Sequence, residues 1–391
     1  VTAAMILVNM VVLIVLADSL GALLTSTRWH AAIGGSAVVG MALAVLLLWT
    51  RGDRASLLTA LASRVRLFGA GLGFPGAVIF ILLLPLLPLA TAQSAIKAFE
   101  PLCMRIVLWW LLTLAGAVAL LGLRTRNRFY VLVAFSGVAL AAAHQIASYL
   151  PSISTYPLSL GWSEASRYYN ASLFFAQRLY GEAVPWPVLH PSRYLLQSLP
   201  FLLGDLPLWV HRLWQVLLWI VITLGTAITL ARRAGLEGRM ARLVLIGVCY
   251  LFLMQGPVYY HLLLSAWIVL LGASGARPRR TLLVVILASA WAGISRVNWY
   301  PVPAILAIVL HLLERPMADG QRRAAYFGWP LAYAAAGGLT AFAASRAYAA
   351  LSGNPVEEFG SSFTSDLLWY RLLPSATYPL GVLPGILLAS A

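Results

Sequence analysis

The sequence predicts an all-α, polytopic integral membrane protein of about twelve transmembrane helices. Three observations carry that expectation. Apolar residues fill 61% of the 391 positions and charged ones only 10%, against roughly 25% charged in a soluble domain. Apolar runs of about 20 residues, the length that crosses a bilayer as a helix, recur from end to end. The arginines gather in alternate connections between those runs, the asymmetry that membrane insertion imposes on basic residues. A β-barrel would instead show alternating segments of about 10 residues, and the sequence has none.

The runs lie at 4–24, 31–50, 68–92, 104–123, 129–148, 207–231, 241–254, 258–273, 281–296, 299–313, 324–345 and 372–391. The first contains Asp18 and no clear cleavage site, so it reads as a retained span rather than a signal peptide. The chain begins at Val1 and ends inside an apolar run at Ala391. Those ends are compatible with a piece of a longer protein from which a C-terminal domain is missing, and the sequence leaves that open.

The connections set the expected orientation. Arg51, Arg54, Arg64 and Arg66 share one; Arg124, Arg126 and Arg128 the next of the same set; then Arg232, Arg233, Arg239 and Arg242; then Arg277, Arg279 and Arg280; then Arg315, Arg322 and Arg323. These alternate connections are placed in the cytoplasm, with the N-terminus also inside. The other set holds Glu100, Glu164, Glu182, Asp205, Glu357, Glu358 and Asp366 and is placed outside. The Arg-rich, Lys-poor usage, with Lys97 the single lysine, points to the inner membrane of a bacterium. The net charge of +15 is dispersed over these short loops, with no basic stripe interleaved with aromatics, so nucleic acid is not an expected partner. Cys103 and Cys249 lie in different segments without metal spacing and read as free thiols.

Two outer segments are long, 149–206 and 346–371. A long loop among short ones is where a membrane protein can place a site. Within the first, GWSEASRYYNASLFFAQRLYGE (161–182) places Ala165, Tyr168, Tyr169, Leu173, Ala176, Leu179 and Tyr180 at helical steps. Its other faces carry Arg167, Asn170, Gln177 and Arg178, so it predicts an amphipathic helix lying on the outer surface. Ser163 is the expected cap. Glu164 then sits in the first turn, where the helix dipole favours an anion, and could take a proton from a substrate hydroxyl. A Pro-rich turn, VPWPVLHP (184–191), leads to a second short helix with Pro191 in its first turn. This arrangement could bring Glu164, His190 and Arg193 together.

A second stretch, AGISRVNWYPVP (292–303), sets Arg296 between two apolar runs on the same expected side. A charge at that depth costs several kcal/mol unless paired or wet, which makes it a functional candidate. His261 lies at an outer helix end in GPVYYHLLL (256–264). Plainer readings stand beside these. Glu164 can be a favourable charge at a helix N-terminus, His190 a turn residue, His261 a packing histidine, and Arg296 a snorkelling cation. Trp299 and Tyr300 read as interface anchors. Glu164 could hold a divalent cation together with a loop carboxylate such as Glu357, although no ligand cluster is present.

An acid in a large outer loop, an aromatic surface helix, a Pro-linked His-Pro motif and another short helix before a span resemble polyprenyl-phosphate-dependent membrane glycosyltransferases of the GT-C class. That class includes the protein O-mannosyltransferases and the aminoarabinose transferases. The matching pieces are GWSEASRYY (161–169), the helix to Gly181, and LHPSRYLLQSLP (189–200). Ser163 stands where many members carry the first acid of an Asp-Glu pair, and His-Pro-Ser stands where many carry His-Pro-Pro. Five apolar runs precede the acidic loop, where the class commonly has one. The resemblance covers roughly 130–345. It divides the chain into N-terminal helices without an assigned role (1–128), a GT-C-like core with its outer loop 149–206 (129–345), and a second outer loop with a last helix (346–391).

The resemblance implies an inverting transfer of a sugar from a polyprenyl phosphate to an acceptor hydroxyl of a glycan, lipid or protein, outside the membrane. Glu164 would be the general base. Arg296, Arg193, His190, Arg167, Tyr168 and His261 would hold the lipid phosphate and substrate, since Arg grips phosphate with a planar fork. The alternative is a transporter or lipid flippase of envelope precursors. Such proteins place ionisable residues at the bilayer midplane and often show internal repeats, whereas the ionisable residues here gather at span ends.

Overall fold

The structure is a computed structural model. It describes residues 102–122, 128–156, 160, 163–317 and 322–355, with single positions at 63, 67, 71 and 78. Among the described residues every regular element is helical. In chain order the α-helices are α1 (Leu102–Gly122), α2 (Phe129–Ala147), α3 (Glu164–Ser172), α4 (Ala176–Tyr180), α5 (Pro191–Gln197), α6 (Leu208–Arg233), α7 (Arg239–Leu253), α8 (Tyr260–Gly272), α9 (Pro278–Gly293), α10 (Val302–Glu314) and α11 (Arg323–Leu351). Helices α1, α2 and α6 to α11 fall on the eight apolar runs expected between 104 and 345. The other four runs, apart from Gly71 and Val78, and the segment past Pro355 that was expected outside lie beyond the described residues.

Among the described residues three stretches are long and apolar enough to cross a bilayer: Phe129–Ser152, Leu208–Arg233 and Val297–Glu314. They mark the chain as membrane-associated and helical. Water is absent from hydrocarbon, so a spanning segment must satisfy its own backbone, and a helix does this within one segment. Pro330 inside the 29-residue α11 follows the same logic, because neighbouring helices in a membrane re-satisfy the carbonyl that a proline frees.

The chain forms two compact units, Val1–Ser152 with Leu230–Gln255, and Ile153–Thr229 with Gly256–Ala391. The boundary drawn from sequence at 128/129 falls inside the first of these. In that unit α2 packs against both α1 and α7. Ala117, Leu120, Leu121 and Leu132 form its core. Gly247 lets α7 close on α2, since a Cβ there would stand 2.1 Å from the Val138 side chain. Cys249 in α7 is a free, half-buried thiol.

In the second unit α9 and α11 make the most extensive helix contact. Gly293 explains its closeness: a Cβ there would lie 2.2 Å from the backbone carbonyl oxygen of Ala341. Small residues bring helix backbones together where no hydrophobic drive exists between apolar surfaces in lipid. Val269, Val285, Ala288, Ala304, Ala307 and Tyr333 fill the core from α8, α9, α10 and α11. The Pro-rich linker is tied to the end of α11. The Trp186 amide donates to the Ser352 carbonyl (2.8 Å), Asn354 Nδ2 donates to the Trp186 carbonyl (2.7 Å), and the Tyr348 hydroxyl donates to the Pro187 carbonyl (2.8 Å).

Candidate functional site

Helix α3 opens on Glu164, as its sequence suggests, but two local expectations are corrected. Ser163 makes no capping bond to the helix; its Oγ instead accepts from Arg167 Nη2 at 2.5 Å. The single amphipathic helix over 163–180 is broken into α3 and α4 by a 3₁₀ turn at Leu173–Phe175. The inward face also differs. Glu164, Ala171, Ser172, Leu173 and Ala176 are buried, while Ala165, Tyr169 and Tyr180 are exposed. The break re-aims the face, and the Ser172 and Tyr180 hydroxyls, 2.6 Å apart, close it.

Glu164 is only 2% exposed. Its partner is Arg212, fully buried in the first turns of α6. Arg212 Nε donates to Oε1 at 2.5 Å and Nη2 to Oε2 at 3.0 Å, a bidentate fork, while Nη1 donates to the Ser154 carbonyl. The Leu160 amide reaches Oε2 at 3.4 Å. The surface carboxylate expected from sequence is therefore an interior one, paired through both oxygens. Arg212 went unread because it sits in the apolar run 207–231. The signal was available, since an ionisable residue within such a run is a functional or structural flag by default.

Helix α5 begins with Pro191 at its first position, as expected. His190 before it takes a left-handed conformation (φ 53°), the only non-glycine among the described residues to do so. Two bonds staple this start to the turn after α9: the Ser192 amide donates to the Ile294 carbonyl (3.0 Å), and Ser295 Oγ donates to Ser192 Oγ (2.7 Å). Arg193 and Arg296 each follow one of these serines, so both flank the junction. The Tyr260 hydroxyl donates to the Arg193 carbonyl at 3.2 Å. The Arg296 guanidinium lies over the Tyr259 ring, 5.8 Å from its centroid. His190 and the buried His261 approach with ring centroids 5.7 Å apart. Helix α3, with Glu164, Arg167 and Tyr168, packs on α5. The structure thus gathers all seven residues singled out in the sequence into one region of the second unit.

The charges there are unbalanced. No carboxylate of a described residue lies within 4.0 Å of Arg167, Arg193 or Arg296, each half-buried, and Glu164 is taken by Arg212. Arg167 Nε, Arg193 Nε and His190 Nδ1 are buried and have no hydrogen-bond partner. Burial, then the positive charges of Arg296 and Arg193, pushes the His190 imidazole down to about 4. Burial, then Arg167, lowers the Arg193 guanidinium. Burial, then the Glu164 charge, raises the Tyr168 phenol. Where neighbouring cations help to hold down the protonation of His190 and Arg193, an anion would relieve them.

Trp299, half-buried, donates its Nε1 proton to Ser265 Oγ at 2.9 Å and the Leu262 carbonyl at 3.1 Å. Among the described residues no group of three His, Cys, Asp or Glu side chains is placed to hold a metal ion, and Glu357 lies outside them. No protein-family model matches the chain, and neither does any curated protein or solved structure compared with it.

Proposed function

We propose that the chain is a membrane glycosyltransferase that moves a sugar, with inversion, from a polyprenyl phosphate to an acceptor hydroxyl on the extracytoplasmic side. One observation carries the reading. Arg167, Arg193 and Arg296, with His190 and His261, converge without a free carboxylate among the described residues, beside a buried acid at the start of a helix expected in the outer loop. In the reaction the acceptor oxygen attacks the anomeric carbon. The bond from that carbon to the phosphate oxygen breaks, its electron pair leaves on the phosphate, and the acceptor proton passes to Glu164. The developing phosphate charge is then met by fixed guanidinium groups in a poorly solvated setting, where such contacts are strongest. Arg212 is a positioning residue in this scheme, holding the Glu164 carboxylate in one orientation.

A second reading of Glu164 is favoured by its 2% exposure and its two-pronged bond to Arg212: an ion pair that fixes α3 on α6. Release of polyprenyl phosphate from a panel of polyprenyl-phosphate sugars tests both. Loss of release in Glu164→Gln with an unchanged melting profile assigns the base. Retained release leaves the enzyme standing and makes the pair structural. Arg296→Ala and Arg193→Ala are expected to weaken donor use by about ten- to a hundredfold each, the scale of a lost charge-assisted bond. Movement of a labelled lipid across sealed vesicles without chemical change would replace transfer by transport.

A further inference from the structure

Three connections of the second unit meet at one end of it. The loop between α8 and α9 is folded on itself, since Thr281 Oγ1 donates to the Ser274 carbonyl (2.9 Å) and accepts from the Ser274 amide (2.8 Å). The Gly275 amide in that loop donates to Glu314 Oε2 at the end of α10 (2.8 Å). The start of α11 is tied to the same place. The Tyr326 hydroxyl donates to the Arg315 carbonyl (2.7 Å), and the Tyr333 hydroxyl to the Pro278 carbonyl (3.3 Å). This end therefore carries Arg277, Arg279 and Arg280 from the start of α9, Arg315 from the end of α10, and Arg322 and Arg323 from the start of α11, all of them exposed.

Among the described residues nothing neutralises this cluster. The carboxylate of Glu314 is engaged by the Gly275 amide, and no described carboxylate lies within 4.0 Å of any of these guanidinium groups. Two helices begin here and one ends, so the helix dipoles add positive potential on balance. Apolar side chains are exposed beside the charges: Leu313, Met317 and Phe327. The membrane-crossing stretch Val297–Glu314 stops one residue before Arg315, which sets the cluster at the level where hydrocarbon gives way to headgroups. Cations bordered by exposed apolar side chains fit an amphiphile with a negative head. We propose that this end of the second unit binds anionic phospholipid, its phosphates on the arginines and its acyl chains against the exposed apolar residues. Guanidinium grips phosphate through a planar fork, and each basic residue near an anionic surface contributes about fivefold in affinity. The arginine distribution expects these connections in the cytoplasm, on the leaflet that carries anionic lipid. The inference does not depend on the transferase reading, whose Arg296 stands past the opposite end of α9.

Arginines that only set the threading of the chain need no lipid, and lipid retention separates the two roles. The full chain is exchanged into bilayers of equal parts phosphatidylcholine and phosphatidylglycerol and extracted in mild detergent, and the lipid that stays bound is counted by mass spectrometry. Wild type is expected to keep phosphatidylglycerol over phosphatidylcholine by about tenfold or more. Arg279→Gln/Arg280→Gln and Arg322→Gln/Arg323→Gln should each lose most of that preference, and the corresponding lysine pairs should keep part of it. Arg178→Gln/Arg346→Gln, which removes two exposed charges elsewhere in the unit, should keep it in full. Melting in phosphatidylcholine alone checks the fold, and a glutamine pair that melts early is replaced by its lysine counterpart. Equal retention of the two lipids by wild type, or an equal loss in Arg178→Gln/Arg346→Gln, would overturn the proposal and leave the arginines as determinants of threading. Polyglutamate that displaces phosphatidylglycerol from wild type and binds neither glutamine pair would overturn it in favour of an acidic protein partner.

Discussion

Arg212→Leu would leave the Glu164 carboxylate buried without its counter-charge, and that change should cost about 3–5 kcal/mol of stability. Denaturant unfolding in detergent measures it. The double variant Glu164→Leu/Arg212→Leu should recover most of the loss, because a buried pair replaced by apolar groups is often neutral. Additive losses would show that the two side chains act independently. His190 adds a pH dependence. Its folded value of about 4 lies below the ordinary 6.5, so between those pH values the unfolded chain binds a proton that the folded chain does not. Its contribution is present above pH 6.5 and is lost as pH falls through 4. Stability should therefore rise with pH across that window in the wild type and rise less in His190→Asn. A bound phosphate should also flatten the slope, since an anion beside the ring raises its affinity for a proton.

Elements meet at positions where only hydrogen fits. Gly293→Val would drive a side chain into the Ala341 carbonyl of α11, 2.2 Å from the Cβ position. Overpacking of this kind costs about 1–3 kcal/mol or more. Gly328→Ala, with open space around it, should be close to neutral or slightly stabilising, and thermal melting of the two variants checks the contrast. The long helices were legible in the sequence and the short ones of 164–197 only in part. Helices α6 to α11 announce themselves because each must carry its own apolar run. Helices α3 and α4 do not span, so their start at Glu164 could be read from the loop, but the break at Leu173–Phe175 could not. That break follows from which side chains find room inward, a property of the packing rather than of the helical period.

Across the whole molecule the arginine distribution predicts a threading that cysteine labelling can test. Cysteines placed at Glu182 and Asp205 should react from the outside in intact cells, and those at Leu236 and Met317 only after permeabilisation, in a background with Cys103 and Cys249 replaced by serine. Labelling of all four from one side would overturn the orientation and, with it, the extracytoplasmic placement of the site.

The sequence alone determined the helical membrane character and the sites of the eight described long helices, because a bilayer accepts only segments whose composition and length already suit it. It also drew out Glu164, Arg193 and Arg296 as candidates, since charged groups are rare enough in this chain to stand out singly, but it passed over Arg212. The tertiary structure decided how they pair. Whether Glu164 faces solvent or Arg212, 48 positions along the chain, depends on how α3 packs against α6. Whether Arg193 and Arg296 share one junction depends on the serine bond between Ser192 and Ser295. Such contacts between distant segments form only when the helices pack, and no local pattern of residues encodes them.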